Sequence, residues 1–498
     1  MAALFHRFRH PEGLKELLAV ANAASKQKIV IDYSSPNIAK QFHIGNLRST
    51  ILGNYIRNIN NSLGNTAIGV NYLGDWGVQF AMIASYWPEV KPSEGFWNQS
   101  SDVDKIKMLT GCYVVANNKA KLEEDFRMKV REVYQDMEKQ IMNSETDSPI
   151  LQLWRDVGDI SRKHLMEFYK LLHLEFDSWL CESAYIKKSS VLVDKLISDG
   201  IARKTDDGLW VIDYDGQKYK TDNKYAIIRK SDETTLYLSR EIAAIMARDE
   251  MYNADKYLYV VDRAQRTHFI ALKAVLERMG CHELAEKVVH VPYGRVKGLS
   301  TRLGKTEAVF DIIQKGSELA LDFINESKTI KVNDEAEKEK TAQELAISTI
   351  LFNDLKRAKS SEYQFSFQNA FTLNQTNALL LQMKHSRLHS IEERNKHLLP
   401  LLESCQTLPE GGNEVQALVE LLTKFEQVLT ESNDKLEPCH LAVYLIQLSN
   451  AIGTCMNQLP VKDQPTEIAV PRLFLFSTAR AVLGEGMKLL GIEPVDKM

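Results

Sequence analysis

Residues 34–50 read Ser-Ser-Pro-Asn-Ile-Ala-Lys-Gln-Phe-His-Ile-Gly-Asn-Leu-Arg-Ser-Thr, which gathers Lys40, His43 and Asn46 around Gly45. Leu47, Ile51, Leu52, Tyr55 and Ile56 follow at helical spacing, so a helix opens near Gly45. A strand, a turn with Pro and Gly, and a helix start leave free backbone N–H groups facing an anion. A lysine and a histidine beside that turn suit a nucleoside triphosphate. On this stretch alone an ordinary βα turn fits equally well. A second cationic segment, Lys297-Gly-Leu-Ser-Thr-Arg-Leu-Gly-Lys305, is either a loop that closes over phosphates or a solvated turn.

The elements that must position these groups can be read in order. Lys28–Tyr33 is a short buried strand rich in β-branched residues. Ala67–Gly77 is a second strand ending in a Gly-rich loop, with an apolar helix through Phe80 and Ile83 after it. Lys256–Val261 and Val288–Gly294 are further strands. In open parallel α/β sheets, ligands sit at the C-terminal ends of such strands. Residues 92–150 interrupt the pattern and read as an insertion of surface helices, a solvated face without chemistry. Leu151–Leu174 is helical and feeds a strand at 175–183. After a helix from 191 come short strands with Asp206-Asp207-Gly208 and Asp215-Gly216 as hairpin turns. Ser239 is placed to cap the helix carrying Ile242, Ala243, Ile245 and Met246.

Near residue 326 the composition changes. Glu326–Glu344 is dense in Lys and Glu, the mark of an exposed helix or linker. Beyond it every segment is helical: 345–358, 373–395, 413–430, 438–457 and 470–491. This predicts an α/β domain, then an all-α domain, with a boundary near 340. No internal repeat is evident.

A chain of 498 residues holds two or three domains with real cores. Its net charge of −4 excludes coating nucleic acid through bulk charge, but leaves an RNA partner held by local patches open. The six cysteines contain no C-x-x-C pair, which argues for reduced thiols and against a zinc site. No run approaches the roughly 18 apolar residues of a membrane span. The start carries His6, Arg7, Arg9 and His10 and no acid before Glu12. It fits the tail of a mitochondrial targeting sequence or the basic start of a first helix.

The order of motifs resembles arginyl-tRNA synthetase, a class I aminoacyl-tRNA synthetase. SSPNIAKQFHIGNLRST is similar to the family's HIGH region; NYLGDWGVQF, TLYLSRE with IAA, QRTHF and GLSTRLGK follow at fitting distances. LLQMKHSRLHSIEERN and KLLGIEPVDKM resemble its anticodon-binding domain. The resemblance covers residue 29 to the end. It implies a Rossmann-type parallel-sheet catalytic domain at 29–340 with the insertion at 92–150, and a helical-bundle anticodon-binding domain at 341–498. Residues 1–28 are then an N-terminal extension or residual targeting segment. The family generally carries a further domain before the catalytic core, which this chain does not show; with the basic start, that suggests a mitochondrial form or a fragment of one.

What the resemblance implies chemically is that L-arginine attacks the α-phosphate of ATP, giving arginyl-adenylate and pyrophosphate. The arginyl group then passes to the terminal adenosine of tRNA(Arg). The substrate carboxylate is the nucleophile, so the protein's part is positioning and charge stabilisation. Catalysis is carried over to Lys40, His43, Asn46 and Arg302, and ATP binding to His43, Gly45, Asn46, His268, Leu299, Ser300, Thr301 and Lys305. Arginine is assigned to Asn37, Asn71, Glu182, Tyr237, Glu241 and Gln265. Lys384, His385 and Arg387 are assigned to tRNA phosphates.

Mg2+ is expected to accompany ATP, with no protein-bound metal, no membrane and a monomeric chain in the mitochondrial matrix or, alternatively, the cytoplasm. Asn46 replaces the second histidine of HIGH, Leu299-Ser-Thr-Arg302 lacks the usual lysines of the KMSKS loop, and Glu241 stands where the family has Asp. In the family, a lysine before the HIGH box is thought to compensate for such a loop, and Lys40 fits. A class I synthetase for another amino acid and a non-catalytic tRNA-binding relative are the alternative readings.

Overall fold

Ile29, Val30 and Ile31 are all buried, which makes Lys28–Asp32 (β1) an interior strand. The structure, a computed structural model, describes residues 1–21, 26–39, 42–145, 147–297, 309–326, 334–366, 370–371 and 377–498. β2 (Thr66–Leu73) and β3 (Ser178–Cys181) follow. Then come a small antiparallel sheet of β4 (Arg203–Lys204), β5 (Trp210–Asp213) and β6 (Tyr225–Arg229), and finally β7 (Lys256–Asp262) and β8 (Val288–Tyr293). The main sheet has the order β3-β2-β1-β7-β8, with β2/β3 and β1/β7 parallel. The register sets Asp32 opposite Tyr259 and Asn71 opposite Trp179, so the last residues of the strands share one edge. Gly208, at φ +80, makes the β4–β5 turn expected from Asp-Asp-Gly. At the next turn, Asp215 instead caps a single helical turn, Gly216–Tyr219.

The chain forms two units, one of residues 28–46 and 68–292, the other of 1–27, 47–67 and 293–498. In the sheet unit, Val30, Val70, Ile228, Ile242, Tyr257 and Leu272 belong to one core. The expected insertion is helical: Asp102–Leu122 and Glu124–Met142 lie within it. The solvated face expected of it holds on one side only. Phe126, Val130, Tyr134, Met137 and Glu138 recur at helical spacing and are all buried, so one face of Glu124–Met142 turns inward. Dense charge on the opposite face hides this pattern. Ser239 is not a cap either. The helix Tyr237–Tyr252 starts after Leu236 without a side-chain cap, and the Ser239 hydroxyl donates to the Ile228 carbonyl of β6.

The second unit is helical throughout most of its length. Helix Glu335–Leu355 runs unbroken through residue 340, so the boundary expected there falls inside one element. Its first turn is solvated, but from Thr341 onward it is largely buried; residues 327–333 of the Lys/Glu run lie outside the described residues. The start of the chain is docked in this unit. Phe5 and Phe8 on helix Ala2–Arg9 are fully buried and pack near Phe474 and Phe425, with ring centres 6.4 and 6.2 Å apart. Arg9 reaches Ser477 at 3.2 Å and His10 reaches Glu403 at 3.2 Å. Two of the basic residues that suggest targeting, Arg9 and His10, thus hold contacts within this unit.

Helix Pro438–Gln458 is, by length and composition, apolar enough to cross a membrane, although scattered Gln, Ser and Asn keep its apolar runs short. Its Leu441, Leu445, Leu448 and Ile452 are core residues of the helical unit. Arg48, from the first motif, is a lock for this unit. Its buried guanidinium donates to the Gly294, Ser361 and Ala358 carbonyls and sits 3.3 Å from Asp354.

Candidate active site

At the C-terminal end of β1 the chain turns through an unusual backbone. Ser34, Ser35 and Ala39 all have positive φ (65°, 41° and 62°), which costs non-glycine residues on the order of 1–3 kcal/mol each. Local hydrogen bonds hold that conformation. Ser34 Oγ and Tyr169 Oη lie 2.6 Å apart, Ser35 Oγ donates to Asp32 at 2.6 Å, and Ala39 N donates to Ser161 Oγ at 3.2 Å. Phe42 packs on Phe168 and Tyr169 of helix Pro149–Leu171. His43 therefore arrives at the helix start on a fixed support. Its Nδ1 accepts from Gly45 N at 3.1 Å, and its own N–H donates to Asn46 Oδ1 at 3.3 Å. Asn46 thus shapes the first turn, a task its amide performs without charge. Lys40, Leu299, Ser300, Thr301, Arg302 and Lys305 lie outside the described residues.

The Gly74-Asp75-Trp76-Gly77 loop brings β2 against this turn. Gly74 and Asn37 form a parallel bridge, and a Cβ on Gly74 would lie 2.1 Å from Asn37 Oδ1. Asp75 accepts from Ser183 N at 2.8 Å and Ser183 Oγ at 2.6 Å, fixing the turn that begins at Glu182.

Asn37, Glu182, Tyr237, Gln265 and His268, all expected at the site, line one cavity of about 510 Å³. Trp76, Gln79, Tyr134, Lys230 and Arg240 complete much of its wall and were not singled out from sequence. Tyr134 comes from the supposedly inert insertion. The Tyr237 and His268 rings pack with centres 4.7 Å apart, tilted by 38°. Burial, with some help from His290, pushes the His268 imidazole down to about 4, so it is neutral near pH 7. Burial and then Glu241, Glu182 and Asp32 hold the Tyr237 hydroxyl well above its ordinary range.

The acids fall in two layers. Glu182 is on the cavity wall, and its Oε1 accepts from Arg240 Nε at 2.6 Å. Burial outweighs Arg240 and pushes the Glu182 carboxyl up to about 7. Glu241 is absent from the wall. It is buried beside Arg248, at 3.7 Å, and Arg248 also meets Asp32 at 2.8 Å. Glu241 projects from its helix toward Arg248 and does not appear among the wall residues. Asn71 too is fully buried, beside Tyr169. The buried acids Asp32, Glu138, Glu182 and Glu241 are set among the buried Arg240 and Arg248 and the Lys230 of the wall.

The tRNA assignments divide in the helical unit. His385 is buried, its Nδ1 bonds the Val495 carbonyl at 3.1 Å, and burial pushes it down to about 4. It is a neutral clamp on the C-terminal segment and offers phosphate no charge. Arg387 is exposed and Lys384 half-buried on the same helix, Ala378–Arg394.

A parallel sheet with a strained turn, a HIGN helix start and an acidic cavity at its strand ends defines a nucleotide-using α/β enzyme of the class I synthetase type. The family described as tRNA synthetases class I (R), catalytic domain, matches residues 14–367, and the DALR anticodon binding domain matches 381–498. A Bos taurus protein named as a mitochondrial arginine–tRNA ligase is 35% identical over 95% of this chain and 79% of its own length. The cytoplasmic arginine–tRNA ligase of Saccharomyces cerevisiae is 31% identical over 97% of this chain and 79% of its own. The Thermus thermophilus arginyl-tRNA synthetase structure shares the fold, with a TM-score of 0.75 at 19% identity over 97% of this chain and 86% of that one. The chain belongs to the class I arginyl-tRNA synthetases.

Proposed function

We propose that the chain activates L-arginine with ATP, Mg2+ accompanying the nucleotide, and transfers it to tRNA(Arg). The observation that carries this reading is Glu182, a buried carboxylate on the cavity wall with only one oxygen tied to Arg240. A planar guanidinium can take the other, and an uncharged side chain would leave the acid unpaired. Asn37, Gln265 and Tyr237 then orient the rest of the amino acid, with Asn71, Glu241 and Asp32 as the layer beneath. His43, Gly45 and Asn46 receive the triphosphate at the helix start, His268 faces the adenosine side, and Lys40, Arg302, Lys305 and the Leu299–Thr301 segment serve the phosphates.

Lys384 and Arg387 are the candidates for tRNA phosphates, on an anticodon-binding domain built from the C-terminal helices. A monomer is the proposed working form. The mitochondrial matrix is the proposed location, supported by relatives named as mitochondrial, with the cytoplasm favoured by the yeast relative. Charging of tRNA(Arg) with arginine, lysine or citrulline tests the substrate: arginine alone is expected, and equal charging with uncharged citrulline would overturn the acid–guanidinium pairing.

A further inference from the structure

The carboxylate of Glu138 belongs to the insertion, yet it is 7% exposed and points at the loop before the Tyr237 helix. Its Oε1 accepts from both Thr235 N, at 3.0 Å, and Thr235 Oγ1, at 2.9 Å. The same hydroxyl accepts from Arg240 Nη1 at 3.0 Å, as does the Thr235 carbonyl at 3.1 Å. Donors and acceptors are consistent along this line: the threonine gives its proton to the acid and its lone pair to the arginine. Arg240 Nη1 is thereby committed to Thr235, and the guanidinium meets Glu182 through Nε. The end-on Nη1/Nη2 pairing, which would occupy both carboxylate oxygens, is closed while Thr235 holds Nη1.

We propose that Glu138 is a positioning residue for arginine specificity: through Thr235 it fixes the orientation of Arg240, and with it that of the Glu182 carboxylate that Arg240 meets through Nε, for pairing with the substrate guanidinium. This rests on the arginine reading of the cavity. It gives the insertion helix Glu124–Met142 a part in the reaction without contact to any reacting atom. The line also explains why two backbone-linked groups of Thr235 converge on one oxygen, since together they fix the rotamer that receives Arg240.

The test is steady-state arginine-dependent ATP–pyrophosphate exchange, with tRNA present, on the full chain and on E138A, E138Q, T235V and the double variant E138A/T235V. E138A should raise the KM for arginine about tenfold, as expected for one charge-assisted hydrogen bond, with the KM for ATP changed less than about twofold. E138Q keeps an acceptor oxygen and should restore the KM to within about threefold. T235V should resemble E138A, and the double variant should be no worse than either single one, because both break one line. The proposal is overturned if E138A leaves the arginine KM unchanged, if it shifts both substrates' KM values and kcat alike, if E138Q is no better, or if the double variant is additive. Absence of arginine exchange in the parent chain would instead remove the arginine reading itself.

Discussion

Arg248 and Asp32 meet at 2.8 Å with both side chains almost wholly shielded from solvent. The arginine lies over the rings of Tyr72 and Tyr259, at 4.6 and 5.5 Å, and reaches Glu241 at 3.7 Å. One guanidinium thereby joins the end of β1, the end of β2, β7 and the helix Tyr237–Tyr252. Asp32 continues the connection to Ser35 and so to the turn that presents Asn37.

Replacing this guanidinium by an apolar chain strands two buried acids. R248M should destabilise the protein by about 3–5 kcal/mol. Without the cation both carboxyls must hold protons in the folded state and not in the unfolded one, so the deficit should grow as pH rises from 5 to 8. Urea unfolding at the two pH values measures it; a loss of less than 1 kcal/mol, flat with pH, would show the pair to be energetically idle.

Ionisation of Glu182 should appear in arginine recognition. Its carboxyl is pushed up to about 7 in the free protein. Its protonated form cannot pair with a guanidinium, so kcat/KM for arginine should rise as pH increases through about 7 and level off above it. The same parameter for ATP should lack this limb. An arginine profile flat from pH 6 to 8 would contradict the assignment.

Gly74 faces the side-chain oxygen of Asn37 with no room for a Cβ. The atom in the way is the end of an exposed side chain, so G74A should fold, turning the Asn37 amide aside. Thermal unfolding should shift little while the KM for arginine rises by roughly tenfold, the loss of an oriented contact. Loss of the fold would show that the backbone, and not the amide, depends on this glycine.

The docking of the first helix should be measurable in stability. Phe8 is 1% exposed and edges onto Phe425. F8A should cost about 3–5 kcal/mol of stability in the helical unit, as for other buried phenylalanines. A cost below 1 kcal/mol in denaturant unfolding would indicate that residues 1–10 add nothing to this core.

Several of these features were open to reading from local pattern. The β-branched run of β1, the helical recurrence from Leu47 to Ile56 and the Asp-Asp-Gly turn each depend on neighbours a few residues away. The placement of Glu182, Tyr237, Gln265 and His268 on one wall was approached through the resemblance, since nothing in their spacing alone brings them together. What escaped reading depends on partners far along the chain. Glu138 looks like one more charge on a charged helix until Thr235 is set against it. His385 sits among Lys384 and Arg387 like a phosphate contact, but Val495 takes its ring nitrogen. Glu241 carries the motif's acid, yet Arg248, seven residues on, claims it. Ser239 bonds across to β6 because that strand packs beside its helix.

The role of Glu182 is tested most directly by arginine-dependent ATP–pyrophosphate exchange in the presence of tRNA(Arg), comparing the chain with E182Q. The parent should exchange with arginine and not with lysine. E182Q should lose about 100-fold or more in kcat/KM for arginine, with the KM for ATP nearly unchanged, because the buried acid that pairs with the guanidinium is gone. An E182Q enzyme with undiminished arginine exchange would contradict the pairing, and a parent that exchanges equally well with another amino acid would contradict the arginine pocket as a whole.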